Sequence, residues 1–261
     1  MPQNTHLELI SAEAERLAEP AREVSNVQIL REKAADLACS LIPLPNMRSS
    51  RILHDRCRVL RNDLKSLLTA LESAPPEPPV SNDFRWLYDN VRLLYAELQS
   101  TPVALKSERK LAHVRTQEGT VIPRVLAVAE CFLEATSYEF SEIEFTAFVE
   151  TFQQTTVLTM RELWTLVSAL KLILLERIAA RRRRVVCDSH QESNGVGVYV
   201  RNLRNIGEVT WKEILEPLIA FDYILRQDPA DCYAKMDFES RDFYRRKLSN
   251  IAAHTSFSEL E

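Results

Sequence analysis

The sequence predicts an all-α protein, an irregular multi-helix bundle with an N-terminal helical extension. Three observations carry that prediction. Only four glycines occur among 261 residues, at Gly119, Gly195, Gly197 and Gly207. Sheet-rich folds with many tight turns, and loops that cradle phosphate, need more residues able to adopt positive φ. Leu, Ala, Glu and Arg, all strong helix formers, are abundant instead. Finally, a Ser or Thr followed three residues later by Glu recurs at Ser141/Glu144, Thr159/Glu162, Thr210/Glu213 and Ser256/Glu259. In that pattern two side chains satisfy the free amides of a helix N-terminus reciprocally.

Residues 1–72 read as an N-terminal helical segment. Glu8 to Leu41 fits one or two helices interrupted near Pro20. Ile42-Pro43-Leu44-Pro45 then stops the helix, because proline lacks an amide donor and restricts the residue before it. From Met47 to Leu71 the apolar positions Ile52, Leu53, Val59, Leu60, Leu64, Leu67 and Leu68 follow the spacing of an amphipathic helix. Its polar face is basic, with Arg48, Arg51, Arg56, Arg58, Arg61 and Lys65. Four prolines between Ser73 and Val80 predict a stiff linker over residues 73–81.

Residues 82–261 read as one helical domain, with helices near 82–100, 121–136, 141–154, 159–182, 210–227 and 238–254. A short turn is predicted at Pro229–Lys235. An exposed loop is predicted at Asp188–Val198, where glycine, asparagine and serine gather. Trp86, Leu87, Val91 and Leu94, and likewise Trp164, Leu166, Val167, Leu170 and Leu174, recur at helical spacing and read as core.

Composition narrows the function classes. A net charge of −4 argues against nucleic acid as a partner of the whole chain. Five cysteines lie far apart, without a CxxC pair, and read as reduced structural thiols of a cytoplasmic protein. The polar N-terminus, Met1 to Ile10, does not resemble a secretion signal. Leu163 to Ile178 is too short to span a bilayer and is interrupted by Lys171 and Glu176.

Chemistry-bearing motifs are sparse. The histidines His6, His54, His113, His190 and His254 supply no pair at metal-ligand spacing, so no metal site is expected. Glu139, Glu142, Glu144 and Glu150 fit helix caps and a solvated face better than an acid–base pair. Nucleophile elbows, phosphate loops and dinucleotide fingerprints are absent from the sequence, and neither a catalytic residue nor a cofactor is assigned.

Candidate interaction residues fall in two places. Arg181, Arg182, Arg183 and Arg184 end the helix that starts at Thr159. There they complement the helix macrodipole, or meet phosphate or an anionic lipid surface. The second place is Asp228-Pro229-Ala230-Asp231-Cys232-Tyr233-Ala234-Lys235-Met236-Asp237-Phe238-Glu239-Ser240-Arg241-Asp242-Phe243-Tyr244-Arg245. Asp228-Pro229 starts a turn. Asp237 can cap the next helix, and Arg241 and Arg245 lie one turn apart on one face. The segment reads as a helix–turn–helix joint with buried aromatics, and Tyr233, Asp237, Arg241 and Arg245 are its candidate residues.

That segment closely resembles one in the cyclic β-1,2-glucan synthase family of large, multi-domain bacterial membrane glycosyltransferases. Phe84–Asn90, Leu158–Trp164 and Leu172–Ile178 are similar to stretches just upstream in that family, in the same order, so the resemblance covers about residues 82–261. It implies a helical region that precedes the membrane helices and the transferase domain, which uses UDP-glucose. Those parts, and the family's phosphorylase-like domain, have no counterpart within these 261 residues, and no catalytic residue of the family carries over. Ala104–Lys110 departs from the family's pattern.

The expected function is a non-catalytic helical module, standing alone or truncated, that assists assembly or regulation of β-glucan synthesis. Its expected partner is the membrane and transferase part of such an enzyme, in the cytoplasm or at the inner face of the membrane. The competing readings are an independent protein–protein interaction module and a binder of nucleic acid or anionic lipid through basic helix faces.

Overall fold

The computed structural model describes residues 25–48, 51–73, 81–107, 111–181, 195–255 and 257–261. The predicted features at Glu8–Pro20, in the proline-rich stretch 74–80, at Arg182–Arg184 and at Ser256 lie outside the described residues. So does most of the predicted 188–198 loop.

The chain is predominantly helical. Helix α1 covers residues 25–40. Next come β1 (Ile42–Arg48), α2 (Arg51–Ser73), α3 (Asn82–Asp89) and α4 (Val91–Ser107). Strands β2 (Ala112–Arg115) and β3 (Val121–Pro123) precede α5 (Arg124–Ala135), α6 (Glu142–Gln153) and α7 (Met160–Ala180). The last third holds α8 (Gly195–Glu208), α9 (Trp211–Leu215), α10 (Asp222–Leu225) and α11 (Phe238–His254), with single 3₁₀ turns at Glu216–Leu218 and Tyr233–Lys235.

Helix α7 is the axis of the molecule. Its buried side chains, among them Leu163, Leu166, Leu170, Leu172, Leu174 and Leu175, occur on every side, the pattern of a helix enclosed by neighbours. Helices α2, α4, α5, α8 and α11 pack around it. One apolar cluster runs from Leu30 and Leu53 through Leu94, Phe148 and Leu170 to Phe221. Four ion pairs, made by Arg56, Arg124 and Lys171, tie the ring of helices together at partly or fully buried positions. Arg56 of α2 forks onto Glu176 of α7 and reaches Glu130 of α5 at 2.8 Å. Arg124 of α5 forks onto Glu162 of α7. Lys171 of α7 donates to Glu97 of α4 at 2.6 Å. Fork geometry makes the Arg56–Glu176 and Arg124–Glu162 contacts stronger than single exposed pairs.

Several elements differ from the sequence expectation. The Ile42–Pro45 stop does end α1, but the chain continues as strand β1, antiparallel to β2 with Leu44 opposite His113. The sheet order is β1-β2-β3, so β1 is an edge strand. Prolines are tolerated there because an edge leaves some amides without a ladder partner. Residues 121–123, predicted as the first turn of α5, form β3 instead, and Gly119 at φ +82° closes the hairpin. The single helix expected over 210–227 is broken by Pro217 into α9, a 3₁₀ turn and α10.

Helix α8 was not anticipated, and its start lies where a loop was predicted. Gly197 has a packing reason there. A Cβ on Gly197 would lie 2.8 Å from the Trp86 indole nitrogen, and one on Gly195 would strike the Arg181 guanidinium. Glycine at 197 lets α8 approach α3, whereas the Arg181 guanidinium beside Gly195 is the movable end of a long side chain. Asp83 of α3 accepts from the Val196 amide at 3.1 Å, satisfying one free donor of the α8 N-terminus.

Candidate functional site

The segment Asp228–Arg245 and the pieces of broken helix before it form a buried polar joint. Asp228 organises the turn: its carboxylate accepts from the amides of Ala230 at 3.0 Å, Cys232 at 3.1 Å and Tyr233 at 3.3 Å. Those three amide bonds hold its acidity stronger than that of an ordinary aspartate. Asp231 sits at φ 51°, a left-handed conformation that a short polar side chain tolerates. Asp237 then caps α11, accepting from the Ser240 amide at 2.7 Å, which likewise lowers its pKa.

The joint closes around two carboxylates, Glu216 and Asp222. Arg241 forks onto Glu216, with Nε 2.6 Å from Oε1 and Nη2 3.0 Å from Oε2, and also donates to the Met236 carbonyl. Arg245 is fully buried, and its Nη1 lies 2.7 Å from Glu216 Oε1 and 3.0 Å from Asp222 Oδ1. Tyr233 donates its hydroxyl to Asp222 Oδ1 at 2.6 Å. Arg226 completes the set, with Nε 2.5 Å from Asp222 Oδ2. The Phe238 ring lies 5.3 Å from the Arg245 guanidinium carbon, within cation–π range.

Charge follows from this geometry. Burial raises the Glu216 pKa, but hydrogen bonds and charge from Arg241 and Arg245 outweigh it, and the carboxyl is held below its ordinary range. Burial, and then the hydrogen bond to Asp222, push the Tyr233 phenol well above its usual value. The phenol stays protonated and acts as a donor. The arrangement is suited to holding three helical pieces in register.

The candidate residues therefore do not converge on one place. Tyr233, Arg241 and Arg245 meet at Glu216 and Asp222, while Asp237 stands at the start of the same helix. Arg181 lies elsewhere, at the C-cap of α7, with its guanidinium 5.7 Å from the Tyr199 ring. The aromatics of the joint are not uniformly buried as expected: Tyr233 is buried, but Phe243 and Tyr244 are exposed. Glu216, Asp222 and Arg226 were missed by sequence reasoning. The Asp222/Arg226 spacing was a readable i,i+4 pair, but Glu216 carried no local signal.

An open cleft of about 710 Å³ adjoins the joint, lined by Glu216, Asp222 and Arg226 together with Glu150, Pro217 and Tyr223. A second cleft, of about 650 Å³, lies between α1, α5 and the β2–β3 turn. Burial raises the pKa of Cys131 beside it, which disfavours the reactive thiolate. Among the described residues no cluster of three or more His, Cys, Asp and Glu side chains is placed to hold a metal ion. Nor is any helix among them long and apolar enough to cross a membrane.

No protein-family model matches the chain. Over 104 residues it is 35% identical to the cyclic beta-(1,2)-glucan synthase NdvB of Rhizobium meliloti (strain 1021). That alignment covers 38% of this chain and only 4% of the synthase, so the chain spans a small fraction of its relative's length. The chain thus bears a partial resemblance to one segment of a cyclic glucan synthase.

Proposed function

We propose that the chain is a non-catalytic helical module of a cyclic-β-glucan-synthase-like glycosyltransferase, assisting its assembly or regulation. The observation that carries this reading is the joint itself. In the segment on which the resemblance is most specific, Arg241 and Arg245 are engaged internally on Glu216 and Asp222. A motif used this way shapes a rigid body rather than a reaction centre, and the chemistry then belongs to the transferase part. The module acts on the cytoplasmic side, beside the membrane part of the enzyme.

The test is capture from detergent-solubilised membranes of cells producing a cyclic glucan synthase, with the tagged chain as bait and the synthase detected by immunoblot. Retention of the synthase, together with a change in glucose incorporation from UDP-glucose when the chain is added, is the expected result. Glucan formed by the purified chain alone would overturn the proposal. So would a synthase that is neither retained nor altered in rate.

A further inference from the structure

Among the described residues, helix α11 has one face without a partner. Its inner face carries Arg241, Asp242, Arg245 and Leu248. On the opposite face stand Glu239, Phe243, Lys247 and Ile251, four residues apart and hence one above another along the helix. Phe243 is 58% exposed and Ile251 65% exposed, and Tyr244, beside Phe243, is 50% exposed. Clustered exposed apolar side chains on a folded surface mark a contact site.

The charges on this face change sign along its length. The start of the helix is acidic, with Asp237 and Glu239, while Arg246 and Lys247 follow in the middle. The helix macrodipole accounts for acids in the first turn. It does not account for Arg246 and Lys247, because the basic residue of the last turn is His254. Arg246 has a partner in Asp242 at 2.6 Å, whereas Lys247 lies over the Phe243 ring at 5.3 Å.

Glu239 and Lys247 are equidistant from Phe243, each four residues or about 6 Å along the axis. Such a stripe is complementary to itself when reversed. We propose that this face binds a second copy of the same chain, with the two α11 helices antiparallel across a two-fold axis near Phe243. Phe243 then meets its symmetry mate at the centre, and Glu239 of each chain meets Lys247 of the other. A two-fold contact of this kind is closed, so assembly stops at the dimer. A contact through a single helix face is at the small end of specific interfaces, so a weak dimer is expected. The inference is independent of the glucan-synthase reading.

Sedimentation equilibrium on the full chain from about 5 to 300 μM tests it, because mass action makes a weak dimer visible only at the upper end. The expected result is an apparent mass rising toward twice that of the monomer. Glu239→Lys or Lys247→Glu alone weakens association at least about tenfold, Phe243→Ser does the same, and the double swap Glu239→Lys/Lys247→Glu restores it. All of these side chains are exposed, and circular dichroism checks that each variant folds. A monomer at every concentration overturns the proposal, as does a dimer indifferent to the single reversals or one that the double swap fails to recover.

Discussion

Gly197 and Gly207 lie in the same helix yet respond to different constraints. A methyl group on Gly197 meets the Trp86 indole at 2.8 Å, a distance that forces α3 and α8 apart or turns the ring. A methyl group on Gly207 meets only the Lys171 ammonium, at 4.0 Å. Gly197→Ala should therefore destabilise the fold by about 1–2 kcal/mol, the overpacking cost exceeding the helix-propensity gain. It should also shift tryptophan fluorescence. Gly207→Ala should stabilise by about 0.5 kcal/mol through propensity alone. Urea midpoints of the two variants check the opposite signs. Glu216 supplies a pH test at the same scale. Its pKa is depressed from the ordinary 4.5 in the folded state. Its contribution is thus fully present above that value and is lost as pH falls through the lower folded pKa. Glu216→Gln should be less stable than the parent near neutrality. Its stability should also fall less steeply than the parent's between about pH 5 and pH 3, as read from denaturation midpoints.

Helix starts show how far an element can be read from its own residues. Thr159 and Glu162 form the complete reciprocal cap of α7, while the identical spacing at Thr210/Glu213 makes no side-chain cap. Thr159→Ala should cost about 1 kcal/mol. Thr210→Ala should cost close to nothing, and thermal midpoints distinguish the two. The motif fails at Thr210 because its ψ of 75° departs from the extended backbone that Thr159 shows at ψ 155°. Glu259, in the fourth such pair, accepts instead from the Met160 amide at 2.8 Å and from Ser249. The chain end is thereby fastened to the start of α7. Most helices were legible because apolar spacing and caps are local properties. β1 was not, since Ile42-Pro43-Leu44-Pro45 has no strand periodicity and is held by β2, about seventy residues away in the chain. Helix α8 escaped for the opposite reason: Gly195 and Gly197 read locally as loop, and only the Trp86 ring against Gly197 gives a helical glycine its packing reason.

At the scale of the whole molecule, α7 gathers the other helices and the joint fixes the last three against the bundle. Half of the joint was readable in advance. Asp228 as a turn former, Asp237 as a cap, and Arg241 and Arg245 sharing a face all follow from short-range chemistry. Their partners did not, because Glu216 reaches Arg245 only after Pro217 breaks the helix and folds the chain back. Tyr233, Arg241 and Arg245, gathered on Glu216 and Asp222, serve as internal architecture of the joint. Arg245→Met, followed by equilibrium urea unfolding alongside capture of the synthase, tests this role most directly. Removing this cation leaves buried Asp222 and half-buried Glu216 with one counter-charge fewer. A loss of about 3–5 kcal/mol is expected, with synthase capture failing only under conditions where the variant unfolds. An Arg245→Met chain that unfolds like the parent, yet no longer retains the synthase, would instead assign the arginine to a partner.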